Sequence, residues 1–205
     1  MLKLHGRTRS NYYNAVKVIL IERDIPFEEV IEPVPPTEAF LSLSPMAKIP
    51  CLVTDDGPIT ETTAIIDYLE ASFSDNPLGG STPYEQAKQH ELAKTLELYV
   101  EWLARRGYGF LRGQDVAEAD KEAIKAGLGQ AIGAVSHLAS FSPWICGDAL
   151  TWVDFFGYFM VVYARLSAEA NAGIDLLGEI PGAAEWFARV EARESMQRVL
   201  ADAKG

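Results

Sequence analysis

Three clusters combine residue types and spacing that can do chemistry. The first is Glu61-Thr62-Thr63, directly ahead of the run Ala64 to Glu70. Thr62 is a candidate helix N-cap. The first N–H groups of a helix lack intrahelical partners and attract anions, while Glu61 beside them offers a place for a cation. A ligand with an ammonium and a carboxylate on one carbon would suit such a corner; a threonine that only caps its helix is the plainer alternative. The second cluster is Ser44-Pro45-Met46-Ala47-Lys48-Ile49-Pro50-Cys51-Leu52, where a proline opens a strand. Proline cannot donate to a central ladder. A cis Ile49–Pro50 bond, which turns the backbone groups of Ile49 outward, is one solution, and a trans proline at a strand start is the other. The third cluster is Thr151-Trp152-Val153-Asp154, with the spacing of a capping box and with Leu150 and Phe155 placed as a hydrophobic staple. Its role is structural.

The elements that must position these residues change character along the chain. Up to Phe73 they are short and alternate. Leu2 to His5 reads as a strand, Ala15 to Glu22 as a helix, Phe27 to Ile31 as a strand and Thr37 to Leu43 as a short helix. Pro50 to Val53 follows as a strand, Asp55-Asp56-Gly57 as a hairpin turn, Ile59 as the start of a fourth strand and Thr62 to Ala71 as a helix. From Pro83 onward only helices are read: Ala87 to Arg106, Ala117 to Ala139, Thr151 to Arg165, Pro181 to Ala192 and Ser195 to Ala203. The apolar Thr151 to Arg165 helix is the expected centre of this part. The fold class is α/β plus all-α. The expected division is 1–76, a linker at 77–84, and 85–205.

Composition narrows the function. The 205 residues carry 18 Lys and Arg against 29 Asp and Glu, a net charge of −11. Nucleic-acid binding and electrostatic attachment to anionic lipid both need basic faces and are not expected. No apolar run is long enough to span a membrane, and Met1 to Gly6 does not begin a secretory signal, so a cytoplasmic protein is expected. His5, His90 and His137 show no metal-ligand spacing, and Cys51 and Cys146 form no CxxC pair, so no metal is expected. No phosphate-binding glycine loop is present.

In combination, five segments resemble the cytosolic glutathione S-transferase family, bacterial serine-type or theta-like, over essentially the whole length. They are Ser10-Asn11-Tyr12-Tyr13-Asn14-Ala15-Val16-Lys17-Val18, Ser44 to Pro50, Glu61 to Leu69, Thr151 to Asp154, and Pro181-Gly182-Ala183-Ala184-Glu185-Trp186-Phe187. The resemblance implies a thioredoxin-like domain followed by an all-helical domain, a cis Ile49–Pro50 bond, and glutathione as co-substrate. It also implies a small, largely apolar electrophile in the cleft between the domains, and a homodimer.

The resemblance further assigns roles. Ser10 would donate a hydrogen bond to the glutathione thiolate, with Tyr13 as the alternate and Arg9 as electrostatic support. Ile49, ahead of Pro50, would pair through its backbone with the cysteinyl main chain, as an added strand does. Thr62 would hold the γ-glutamyl carboxylate, Glu61 the α-ammonium and Lys48 the glycyl carboxylate. Ala47 stands where the family has glycine, which bears on Lys48. Trp102, Arg106 and Phe110 are the candidate co-substrate pocket. The activity implied is attack of the thiolate on the electrophile. The alternatives are a related isomerase or peroxidase reaction, or a protein-interaction module that has lost catalysis.

Overall fold

Alternation of Leu2 and Leu4 with Lys3 and His5 produces a strand, β1 (Leu2–Gly6), whose leucines are buried. It is followed by α1 (Asn11–Glu22), β2 (Phe27–Ile31), α2 (Glu38–Leu43), β3 (Cys51–Thr54), β4 (Gly57–Thr60) and α3 (Thr62–Ser72). The four strands form one sheet in the order β2-β1-β3-β4. β1 runs parallel to β2 and antiparallel to β3, and β3 is antiparallel to β4. Helices α1 and α3 pack together, burying Val16, Ile19, Leu20, Ile65, Ile66 and Leu69. This is a thioredoxin-like arrangement. The computed structural model describes residues 1–204.

Helices α4 (Pro83–Thr95), α6 (Glu118–Leu138), α7 (Trp152–Ala172) and α8 (Ala183–Glu191) build a second, all-helical unit, Gly79–Glu191. Between α4 and α6 the chain passes through a π-helical stretch (Leu96–Glu101), a single α turn, α5 (Trp102–Ala104), and a 3₁₀ segment (Arg105–Arg112). The sequence reads Ala87 to Arg106 as one regular helix; the structure ends regular α-helix at Thr95 and carries the chain on to Arg112 through these three hydrogen-bonding patterns. The apolar helix α7 is central and longer than its periodicity suggests. Its start is the capping box read from Thr151 and Asp154. The fully buried Asp154 carboxylate accepts from Thr151 N (2.7 Å), Thr151 Oγ1 (2.9 Å), Ile145 N (2.8 Å) and Trp186 Nε1 (2.8 Å). Burial nevertheless pushes its carboxyl above the usual range, against the hydrogen bonds that pull it down.

One boundary differs from the sequence reading. The expected helical domain, 85–205, does not include the last helix, α9 (Glu194–Asp202). The tail from Ala192 onward belongs to the first unit with Met1–Leu78, and α9 packs on α1. Apolar burial and charge pairing both hold it there: Met196 and Val199 are fully buried. Lys17 is buried in α1 with its ammonium 2.8 Å from Glu29 and 2.7 Å from Asp202. Glu22 at the end of α1 accepts from Arg193 and from the Ser195 hydroxyl. Helical periodicity in 195–203 records an amphipathic helix but not which unit it covers.

Candidate functional site

The register of the sheet brings the Ser10 segment, the Ser44–Leu52 segment and the Glu61-Thr62 corner together. His5 of β1 pairs with Cys51 of β3, and Cys51 pairs with Thr60 of β4. The loop leaving β1 towards Ser10, the residues entering β3 at Ile49-Pro50, and the corner leaving β4 at Glu61-Thr62 therefore share one end of the sheet. Antiparallel pairing on either side of β3 produces this without any long-range coincidence.

Ser10 is the N-cap of α1. Its Oγ accepts from Tyr13 N at 3.3 Å, and its own N–H closes a turn onto Arg7 O at 3.0 Å. The hydroxyl oxygen is thus used as an acceptor at the helix start. Arg9 beside it is exposed. Tyr13, the alternate donor, lies elsewhere. Its ring is fully buried against Gly6, where an added Cβ would approach it to 2.0 Å. Its hydroxyl donates to Glu29 at 2.6 Å, and burial, then Glu29, hold its pKa above the ordinary tyrosine value.

The Ile49–Pro50 peptide is cis, as are Val34–Pro35 and Ser142–Pro143. Pro50 is buried and Lys48 is exposed. The buried Ser44 hydroxyl ties the preceding turn, accepting from Lys48 N at 3.1 Å and donating to Lys48 O at 2.7 Å. Ala47 sits in the left-handed region at φ 54°, which is the physical reason a glycine suits this position. Cys51, next along, is buried, and burial with the nearby Glu32 pushes its thiol up to about 11. It is a packed thiol, not a nucleophile.

At the third corner Glu61 is exposed and has φ 69°, so a non-glycine residue holds a left-handed conformation directly at the start of α3. No side chain caps this helix. Thr62 behind it is buried. An uncapped helix start carries unpaired N–H groups and the positive end of the helix dipole, beside an exposed carboxylate. A non-glycine residue in this conformation is held there at a cost of ~1–3 kcal/mol. The sequence places Glu61 and Thr62 side by side, but it contains no signal for the positive φ.

A family model for the glutathione S-transferase N-terminal domain matches residues 4–77. A glutathione S-transferase of Pseudomonas putida is 37% identical over 203 residues, covering 98% of this chain and 92% of that protein. The chain belongs to the glutathione S-transferase family. A crystal structure of a glutathione S-transferase from Rhodospirillum rubrum F11 superposes with a TM-score of 0.78 at 25% identity, covering 98% and 92% of the two chains. Elongation factor 1-gamma 1 of Oryza sativa subsp. japonica is 30% identical over 176 residues, 82% of this chain but 40% of that longer protein. The glutathione S-transferase family thus has relatives here with quite different names.

Of the residues singled out for a co-substrate, Trp102 is exposed, Phe110 is half-buried, and Arg106 faces Asp120 at 3.5 Å. Arg106 lines a surface hollow whose lining does not include Trp102 or Phe110. Among the described residues no three His, Cys, Asp or Glu side chains group as a metal site, and no helix is long and apolar enough to cross a membrane.

Proposed function

We propose that this member of the family is a glutathione transferase that activates the glutathione thiol for attack on a small, largely apolar electrophile. The observation that carries the reading is the uncapped start of α3, with Glu61 at φ 69°, at the same sheet end as the cis Ile49–Pro50 bond and Ser10. In this reading the Thr62 N–H and hydroxyl hold the γ-glutamyl carboxylate, and Glu61 meets the α-ammonium. The backbone of Ile49 pairs with the cysteinyl main chain, Lys48 meets the glycyl carboxylate, and Arg9 lends positive potential near the sulfur.

Ser10 is the proposed catalytic residue. A free thiol has a pKa of ~8.5, and lowering it by two units needs ~2.7 kcal/mol of preference for the thiolate. A hydrogen bond to a charged group supplies ~1.5–3 kcal/mol and a helix start up to ~1 kcal/mol more, so the two together reach the required size. With its oxygen accepting from Tyr13 N, the Ser10 hydroxyl has its proton to donate. The thiolate then attacks the electrophilic centre and displaces its leaving group or adds across its double bond. Tyr13 is the weaker candidate because its proton is already given to Glu29.

The test is Ser10→Ala. It is expected to lower turnover of a generic aryl halide about ten- to a hundredfold while glutathione affinity stays within about threefold. Unchanged turnover would remove the role from Ser10. Family likeness extends the reading to a cytoplasmic homodimer acting in detoxification. A second reading, a binding module without catalysis, is favoured by the elongation factor 1-gamma relatives. Retention on immobilised glutathione together with conjugation separates the first reading from the second.

A further inference from the structure

The 3₁₀ segment Arg105–Arg112 is held in place by polar contacts. The fully buried Glu101 carboxylate pairs with Arg105 and lies 3.4 Å from the Tyr108 hydroxyl, and the Arg105 guanidinium sits over the Tyr108 ring at 5.2 Å. From α7, the Ser167 hydroxyl donates to Ala104 O at 2.7 Å, and Asn171 Nδ2 donates to Gly107 O at 3.4 Å. Gly107 lies so close that an added Cβ would come within 2.5 Å of both Asn171 Nδ2 and Ser167 Oγ. A 3₁₀ stretch in a helical run marks a functional segment or a strained one, and here buried polar groups hold it in register.

That register has a consequence for the outer face. In a 3₁₀ helix, residues three apart eclipse. Arg106, Gly109 and Arg112 therefore line one row, with a residue that has no side chain between two arginines. Opposite Gly109 lies Gln114, whose side chain is 3.5 Å from where a Cβ would stand. The row opens into a surface hollow of about 490 Å³, within the size range of small-molecule sites. Its charged lining is Arg105, Arg106 and Arg112 with Asp115 and Asp120. Arg105 is committed to buried Glu101. Arg106 meets Asp120 only at 3.5 Å in an exposed pair, which is weak. Guanidinium groups bind planar or tetrahedral oxyanions through paired N–H donors.

We propose that the hollow between Arg106 and Arg112 is a binding site for a small oxyanion, the phosphate or carboxylate group of an organic acid or the free ion. The Arg106 and Arg112 forks take the anion, which displaces Asp120 from Arg106, and Gly109 leaves room for it between them. The site belongs to the helical unit alone and does not depend on the glutathione reading.

Calorimetric titration of the full chain at low ionic strength tests this, with inorganic phosphate and phenyl phosphate as separate probes. The Arg106→Ala/Arg112→Ala double variant is expected to lose one binding event, its Kd rising about tenfold or more, with the thermal midpoint held because both side chains are exposed. Asp120→Asn is expected to tighten the same event severalfold by releasing Arg106. Anion taken up at the open α3 start survives in the double variant, so only the lost component counts. Tighter binding of phenyl phosphate identifies an organic acid as the occupant, and equal binding identifies the free ion. The proposal is overturned if the double variant loses no component, or if neither probe binds the unaltered chain at ~10 mM.

Discussion

The starts of α7 and α3 each join a threonine to an acidic residue, and they are opposite devices. At α7 the acid is Asp154, fully buried, with two backbone N–H groups, a hydroxyl and an indole N–H converging on it. All four of these donors are answered by one carboxylate of the chain itself. At α3 the acid is Glu61, exposed, in a left-handed backbone conformation and making no cap. The Glu61 side chain meets none of the α3 donors. The two starts are told apart not by residue type, which is shared, but by whether the acid turns inward onto its own helix.

The largest test of this contrast is at the closed corner. Asp154→Ala leaves the N–H groups of Ile145 and Thr151 and the Trp186 indole without an acceptor. At ~1–3 kcal/mol for each buried donor, the helical unit should lose about 4 kcal/mol or more, read as a drop of roughly 10 °C or more in thermal midpoint. A drop no larger than that of an ordinary lost cap, ~1 kcal/mol, would break the contrast. At the open corner the sign reverses. Glu61→Gly relieves the left-handed strain and should stabilise the fold by ~1 kcal/mol while weakening glutathione retention. Loss of stability on this substitution would show that Glu61 is structural after all. Ala47→Gly, at φ 54°, sharpens the comparison with the smallest effect, a gain below ~1 kcal/mol in chemical denaturation. Its glutathione binding should stay close to the parent, because Ala47 strains the turn without offering a charge.

Local features were legible in the sequence. The capping box at Thr151, the proline entering β3 and the order of strands and helices are written in residues within a few positions of one another. What escaped depends on partners far along the chain. Asp154 reaches Ile145 and Trp186, nine and 32 residues away, so a cap was visible but its four-way junction was not. The 3₁₀ turn at 105–112 is tied by Ser167 and Asn171 from α7, some 60 residues on, and the helix read up to Arg106 carries no sign of them. The sequence offers Tyr13 as an alternative to Ser10 and holds no sign near it that its hydroxyl donates to Glu29, sixteen residues on. At the candidate site, residue identities could be read, whereas the positive φ of Glu61 could not. Glycine would have announced it, and glutamate does not.

The return of α9 to α1 makes the sheet-bearing unit discontinuous along the chain. During synthesis, residues 1–78 emerge long before the Asp202 carboxylate that meets buried Lys17, or the Arg193 and Ser195 that close on Glu22. The whole helical unit is made in between. The first unit to be translated is thus the last to be finished, and excising 1–78 on its own would strip α1 of the helix that covers its charged side.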